Sequence, residues 1–278
     1  MAHLKSLFLK IIVSFLIFIL ISSIYYRFNP YDYREFLNKN YQLDITSYDQ
    51  TLKNIKDNYN GFTTLYFLEQ ANKNYNNGID YSWHDEINSI SIFDNWILYL
   101  AKFVDPILIK LNLQKNNTYV FSNYESFKYQ RALGRGFGTC SQNALGLSDL
   151  LYKKYNVKSK VVGLDGHVVV EAEIDNKKVV MDPSLNVFMP FSIKEAELNL
   201  DIVKEYYKYT DQPEIYNAYN ASGNIFGDTY GSSNYSIHIK KTMLIKYFEI
   251  ISDILSIILI GTLLAIIAIK VVYSKNGK

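Results

Sequence analysis

The chain has 278 residues and a formal net charge of only +2. It is long enough for one sizeable domain or two small ones, and it lacks the basic signature of nucleic-acid binding. Its single cysteine, Cys140, excludes an intramolecular disulfide and a four-cysteine zinc site. We therefore expect no metal, no other cofactor and no nucleic-acid partner.

An apolar segment, Leu7 to Tyr26, begins the chain and predicts a membrane anchor within residues 1–27. About twenty apolar residues cross the hydrocarbon core of a bilayer. A cleaved signal peptide is the alternative. The apolar run is long, and Ile21-Ser22-Ser23 is the best cleavage sequence it offers, so we favour an uncleaved anchor.

A second apolar segment, Ile254 to Ile269, contains no charged residue and predicts another membrane span within residues 248–278. Basic residues lie outside both spans, at the ends of the chain, so the positive-inside tendency places both termini in the cytoplasm. The residues between the spans would then face the outside of a bacterial inner membrane. Four basic residues on the other side of the spans weaken this orientation: Arg27, Lys240, Lys241 and Lys246.

Residues 28–121 predict a helical lead-in region. Two helices separated by an Asn-Gly turn are expected here, over Asp49–Tyr59 and Thr63–Lys73. The apolar and aromatic run Ile92–Val104 predicts a further helix, which Pro106 breaks or restarts. That helix lies either in a core, which is the more common case, or along a membrane surface.

The next region, residues 122–192, contains the cysteine. A helix is expected over Ser122–Leu133, with Ser122 as its cap. Glycines then precede Cys140, and residues 141–155 repeat apolar side chains at three- and four-residue steps. This pattern predicts a close-approach loop that delivers Cys140 to the first turn of a buried helix. Unpaired N–H groups and the helix dipole favour an anion there, which raises the thiolate fraction. An inert buried cysteine is the alternative.

After this helix the pattern changes to three predicted strands: Lys160–Leu164, His167–Ile174 and Lys177–Met181. Asp175-Asn176 predicts a two-residue turn that pairs residue 174 with residue 177. In this register His167 and Asp182 are diagonal neighbours on one face, with Cα atoms about 7–8 Å apart, so an imidazole and a carboxylate can meet. A register slip of one residue would put them on opposite faces.

The order Cys140, His167, Asp182 suggests a nucleophile, a general base and a carboxylate that orients the base. Glu171 and Glu173 share the His167 face by parity. Solvated carboxylates are the usual case on a strand, so we expect neither glutamate to belong to the site.

These motifs resemble the core of the transglutaminase-like superfamily, relatives of the papain-fold cysteine peptidases. The resemblance covers residues 138–184 and rests on three motifs: Gly138-Thr139-Cys140 at a helix start, Gly166-His167 opening a strand that carries Glu171, and Asp182-Pro183 after the next strand. Two features depart from the family pattern. Valines stand near the histidine and on the next strand, where members often have tryptophan. The separation of Cys140 from His167 is short, which favours small substrate-binding loops.

The resemblance implies an α+β fold in which a helical lobe, with the nucleophile helix, packs on a small antiparallel sheet. It also implies acyl transfer through a thioester. His167 takes the Cys140 proton, Asp182 holds the imidazole, and the thiolate attacks an amide or ester carbonyl. The Cys140 backbone N–H would hold the oxyanion, and Gln130 is the candidate side-chain donor. Water as the second acceptor gives a peptidase or amidase, whereas an amine gives a cross-linking transferase, and both stay open.

Residues 193–247 complete the region between the spans. A helix is expected over Ile193–Tyr207 and a loop over Asn217–Tyr235, which is either a lid or, as we favour, a tether to the membrane. The expected partners are a peptide or protein substrate, the bilayer, and other proteins of the cell envelope. The alternative function is a catalytically silent module that keeps the fold and binds a partner in envelope assembly.

Overall fold

Helices and a small antiparallel sheet make up an α+β fold, which confirms the predicted class. The computed structural model describes residues 2–29, 32, 34–41, 43–81, 92, 95–111, 126, 128–220 and 233–276. Residues 122–125 and 127 of the helix predicted over 122–133 lie outside these residues, and a helix from Tyr129 covers its second half. The stretch 221–232 of the predicted loop or tether also lies outside them.

The elements follow one another along the chain with helices first and strands later. The helices are α1 (Ala2–Phe28), α2 (Arg34–Tyr41), α3 (Tyr48–Asp57), α4 (Leu65–Asn77), α5 (Trp96–Ala101), α6 (Asp105–Lys110), α7 (Tyr129–Arg135), α8 (Cys140–Tyr155), α9 (Ile193–Leu198), α10 (Leu200–Tyr207) and α11 (Ser233–Asn276). A 3-10 helix covers Pro213–Tyr219. The strands are β1 (Ser159–Gly163), β2 (Val168–Ile174), β3 (Lys177–Asp182) and β4 (Val187–Met189), side by side in that order.

The chain divides into two compact units. One contains residues 1–29, 89–124 and 244–278, and its described elements are α1, α5, α6 and most of α11. The other contains residues 30–88 and 125–243, including the sheet and α8. The predicted lead-in region is thus shared between the units, because its helices α5 and α6 associate with the two terminal helices.

Among the described residues, one helix is long and apolar enough to cross a membrane, by length and composition. It is the part of α11 from Lys246 to Ile269, with a hydropathy of 2.6. The apolar stretch of α1, Lys10–Tyr26, is shorter. The predicted first span and the predicted orientation stay predictions.

The hairpin of β2 and β3 has the predicted turn and register. Asp175 and Asn176 both adopt positive φ angles, 48° and 61°, as a two-residue type I′ turn requires. Ile174 pairs with Lys177, and the ladder continues to Val170 opposite Met181. The strand β4 was not predicted, because three residues are too few to show a period.

Both faces of the sheet are buried. Val168, Val170 and Ala172 of β2 belong to a core shared with α4, α7 and α8. Val169 of β2 and Val180 of β3 belong to a second core formed with α9, α10 and the 3-10 helix. Cover on both faces explains why the strands read as runs of valine instead of alternating with polar residues.

The second core also corrects one expectation from the sequence. Glu171 is only 4 % exposed rather than solvated. Its Oε1 lies 3.3 Å from Lys160 Nζ and 3.2 Å from Lys178 Nζ, and its Oε2 accepts a hydrogen bond from the Ile193 N–H at the start of α9. Glu173 is exposed, as expected. Glu171 therefore joins the sheet to the C-terminal helices.

The helix predicted over Ile193–Tyr207 is divided into α9 and α10. Asn199 between them has φ −139° and ψ 62°, which is not helical. α9 begins with a capping box, in which Ser192 and Glu195 exchange hydrogen bonds. The break turns α10 so that Val203 and Tyr207 are buried in the second core.

Candidate active site

Cys140 is the first residue of α8, as the glycine-rich approach predicts. Thr139 before it is extended, with φ −74° and ψ 172°. A Cβ atom on Gly138 would lie 2.7 Å from Gln142 Cγ and 2.8 Å from Asn143 Oδ1, so only glycine allows this approach. The thiol is partly buried rather than enclosed, and it lies at the helix end where backbone N–H groups are unpaired.

The loop before Cys140 is fixed to the segment that follows α4. Asp80 donates its N–H to the Gly136 carbonyl at 2.8 Å, and Gly138 donates its N–H to the Asp80 carbonyl at 3.0 Å. The buried Arg34 side chain donates to carbonyls at the ends of both α4 and α7, including that of Gly78 at 2.9 Å. The two hydrogen bonds of Asp80 form a bridge between Asp80 and Phe137. They place the next residue, Tyr81, in the site.

His167 and Asp182 meet as the hairpin register predicts. His167 Nε2 lies 2.7 Å from Asp182 Oδ2, and both side chains are fully buried. The carboxylate can only accept, so Nε2 carries the proton. Nδ1 is then the ring nitrogen that remains for Cys140, and it makes no hydrogen bond of normal geometry with the described residues.

Asp182 is surrounded by donors. Besides His167, its Oδ2 accepts from the Tyr207 hydroxyl at 2.9 Å, and its Oδ1 accepts from the backbone N–H groups of Ser184 at 3.0 Å and Leu185 at 3.3 Å. The Tyr207 hydroxyl lies 2.9 Å from that of Tyr219, which is also buried. Such a set of donors compensates the large cost of burying a carboxylate charge.

Two asparagines of α4 fix the chain after β3. Asn72 Nδ2 donates to the carbonyls of Asp182 at 3.3 Å and Val187 at 3.1 Å. Asn76 Nδ2 donates to the carbonyls of Pro183 at 2.9 Å and Ser184 at 3.1 Å. Asp182 is therefore held at its carboxylate by α10 and at its backbone carbonyl by α4.

The electrostatics of the site favour a charged imidazole. Burial by itself lowers the pKa of His167. The charge of Asp182, its hydrogen bond and the neighbouring Cys140 outweigh burial and raise the pKa of His167 to about 10. His167 therefore carries a positive charge at neutral pH, and that charge lies beside Cys140.

Tyr81 is a site residue that the sequence did not reveal. Its ring meets the His167 ring edge to face, with centroids 6.3 Å apart and planes at 70°. Burial raises the pKa of the Tyr81 hydroxyl, and Cys140 and Asp182 add to the rise through their charges and, for Cys140, a hydrogen bond. With 25 tyrosines in the chain, no local pattern distinguishes Tyr81 or Tyr207.

The oxyanion donor proposed from the sequence is not placed by the structure. Gln130 lies in the first turn of α7, and its Oε1 is buried without a hydrogen-bond partner among the described residues. Its described contacts do not include Cys140. Gln142, on the first turn of α8, is instead engaged with the backbone of Ser126. Gln130 in this role stays a prediction.

In the described parts of the chain, no group of three or more His, Cys, Asp or Glu side chains is placed to hold a metal ion. No protein-family model, no curated protein and no solved structure matches this chain. The chemistry assigned to the site therefore depends on its own geometry.

Proposed function

We propose that this protein is a membrane-anchored cysteine enzyme of the transglutaminase-like type, with a papain-like core. It acts on peptide or protein substrates outside the cytoplasm, by thioester-mediated acyl transfer or amide hydrolysis. The observation that carries the proposal is the buried 2.7 Å pair of His167 and Asp182, which leaves Nδ1 for a cysteine at a helix N-terminus. Cys140 at the start of α8, His167 before β2 and Asp182 at the end of β3 supply the nucleophile, the base and the orienting group that nucleophilic catalysis uses.

The residues support a two-step reaction. Cys140 Sγ adds to the carbonyl carbon, and the resulting oxyanion accepts a hydrogen bond from the backbone N–H of Cys140. The imidazolium of His167 then gives its proton to the leaving amine, the C–N bond breaks, and an acyl thioester remains on Cys140. Neutral His167 next takes a proton from water or an amine, which attacks the thioester and releases the Cys140 thiolate.

The packing of α8 supports a papain-like core. α8 buries Leu147, Leu150 and Leu151 against the β2 face that carries Val168 and Val170, so the nucleophile helix lies on the small antiparallel sheet. The strand that follows His167 and the strand that ends at Asp182 are adjacent in that sheet.

A catalytically silent binding module is the second candidate. The observation that favours it is the cover over the thiol. Cys140 is partly buried, and the Tyr81 ring lies beside His167, where the charge of Cys140 helps to raise the pKa of the Tyr81 hydroxyl. In this case the same buried contacts would serve only to stabilise a surface that binds an envelope protein.

For the membrane, we propose two spans with both termini in the cytoplasm and the Cys140 unit outside, in a bacterial inner membrane. The support is the apolar character of both terminal segments and the basic residues at the chain ends. Reporter fusions at Asn40 and at Lys278 should report opposite compartments. Fusions that report the same compartment would contradict the two-span arrangement.

The test of the catalytic proposal is acyl-enzyme formation in the full-length protein. A small activated ester, p-nitrophenyl acetate, should add one acetyl group to the protein, located at Cys140 by peptide mass spectrometry. Cys140→Ser should remain unmodified, and His167→Ala should acylate far more slowly near pH 7. Equal and slow acylation of the wild type and His167→Ala would contradict the enzyme and favour the binding module.

A further inference from the structure

The short helices α5 and α6 and the residues that join and follow them expose large apolar side chains. Five of these, within the twelve residues 100–111, are between 40 % and 61 % exposed: Leu100, Phe103, Val104, Ile107 and Leu111. A group of exposed apolar side chains this close in the chain is typical of a site that meets a partner or a membrane.

The patch is attached to the helix that is apolar enough to cross a membrane. At the start of α5, Trp96 Nε1 donates a hydrogen bond to Ser256 Oγ on α11 at 2.8 Å. Leu98 of α5 is buried, and α5 also packs against α1. The patch thus belongs to the same compact unit as the two apolar terminal helices.

The contact with Ser256 also fixes the depth of the patch. Within the stretch Lys246–Ile269, Asp253 is the last charged residue before the uncharged run that begins at Ile254, and we place the start of the hydrocarbon at this run. Ser256 follows Asp253 by three residues, about 4.5 Å along a helix axis. The indole of Trp96 therefore lies near the level where the hydrocarbon begins, which is where tryptophan is enriched in membrane proteins.

The basic groups of the segment fit this depth. Lys102 Nζ lies 4.0 Å from the centroid of the Tyr99 ring and 5.6 Å from that of Phe103, so its ammonium is held by aromatic faces. Lys110 ends α6 and is exposed. Basic side chains of this length reach the headgroups while their stems cover apolar surface. An amphipathic helix at the interface has this distribution of groups.

We propose that α5 and α6 form an interfacial element that inserts its exposed apolar side chains into the headgroup–acyl boundary of the bilayer, beside the membrane entry of α11. Lipid is the partner of this face. The element has no part in the chemistry of Cys140, and it assumes only that α11 crosses the membrane. Of the two alternatives for the helix predicted over Ile92–Val104, a core helix or a helix along the membrane, this proposal takes the second.

The chain contains two tryptophans, which makes Trp96 a usable depth probe. The full-length Trp83→Phe variant, reconstituted into phosphatidylcholine vesicles, reports on Trp96 alone. Lipids brominated near the headgroup end of the acyl chains should quench Trp96 more strongly than lipids brominated near the chain ends. Acrylamide in the aqueous phase should quench it weakly.

Two other outcomes would overturn the proposal. Strong quenching by acrylamide with no quenching by bromine would place Trp96 in water. Quenching by neither reagent would place it under protein, such as a second copy of the chain. In both cases co-sedimentation of the protein with the vesicles would show that the anchor itself is intact.

A second measurement does not depend on tryptophan. In the Cys140→Ser background, Phe103→Cys and Tyr209→Cys provide a matched pair, since both side chains are exposed, 58 % and 89 %. A charged maleimide should label position 209 readily and position 103 at least tenfold more slowly in vesicles, with equal labelling in denaturing detergent. Equal rates in vesicles would refute lipid contact at position 103.

Discussion

Replacing Asp182 by asparagine tests whether the carboxylate controls the reactivity of Cys140. The amide has nearly the same shape as the carboxylate, and its oxygen can still accept from the backbone N–H groups of Ser184 and Leu185 that bond Oδ1. Its N–H would donate to His167 Nε2, however, so the imidazole would have to carry its proton on Nδ1. The neutral ring would then present a proton to the thiol instead of accepting one.

The magnitude follows from the two opposing causes at His167. Burial lowers the pKa of His167, but the neighbouring carboxylate and thiol raise it to about 10. One pKa unit is worth about 1.4 kcal/mol, so a rise from 6.5 to about 10 corresponds to about 5 kcal/mol in favour of the imidazolium. Without the carboxylate charge only burial and the thiol remain, and we expect the pKa of His167 to fall below 6.5.

The thiolate then loses its cationic partner. An ordinary thiol, with a pKa of about 8.5, is only about 1 % ionised at pH 6.5, so loss of the pair can slow alkylation by up to about 100-fold. We expect this limit for His167→Ala. Asp182→Asn should be slowed about 10- to 50-fold, since a neutral ring still lies beside the thiol.

The assay is the rate of iodoacetamide alkylation of Cys140 in the full-length protein, measured between pH 5.5 and 9.5. The wild type should react at nearly its full rate at pH 6–7. The variants should reach comparable rates only above the ordinary thiol pKa of about 8.5. If the profile of Asp182→Asn coincides with that of the wild type, the carboxylate has no influence on the thiol and the proposed triad is wrong.

Three further predictions concern single groups around the site. Tyr81→Phe removes a hydroxyl whose pKa is raised in part by Cys140 but keeps the ring beside His167. We expect this hydroxyl to donate to the thiolate, and a hydrogen bond to a charged group is worth about 1.5–3 kcal/mol, so alkylation at pH 6.5 should slow about tenfold. An unchanged rate would exclude the hydroxyl from thiolate stabilisation. Tyr207→Phe removes a buried donor to Asp182 and the partner of the Tyr219 hydroxyl. It should lower the free energy of unfolding by about 2 kcal/mol and the thermal midpoint by about 4–8 °C. An unaltered midpoint would show that the hydroxyls of Tyr207 and Tyr219 do not stabilise the buried carboxylate. The raised pKa of His167 stabilises the fold fully below about pH 6.5, and this contribution is lost as the pH rises through about 10. The thermal midpoint of the wild type should therefore fall between pH 7 and 10. An equally steep fall in His167→Ala would show that another group causes it.

The hairpin is the part of the site that the sequence determined. An Asp-Asn pair between two valine-rich runs specifies a turn whose residues both take positive φ angles. Since side chains alternate along a strand, the turn fixes which residues share a face, and His167 and Asp182 therefore meet. The start of α8 at Cys140 was also determined by the local sequence, because Gly138 permits the close approach of the loop to the helix.

The burial of Glu171 could not be read from its own strand. Strand parity places Glu171 on the His167 face, but it does not say what covers that face. α9 and α10 cover it, and Glu171 then becomes an ion-pair partner of Lys160 and Lys178. Burial depends on which elements pack together, so a solvated carboxylate was the wrong expectation.

The tyrosines of the site were decided by the tertiary structure alone. Tyr81 reaches Cys140 through the backbone pairing of Asp80 with Phe137, and Tyr207 reaches Asp182 because a break at Asn199 redirects α10. Each contact joins residues far apart in the chain. The sequence thus determined the groups whose relation follows from one turn or one helix start. The groups brought together by packing had no periodic or local signal, because their positions depend on the whole fold.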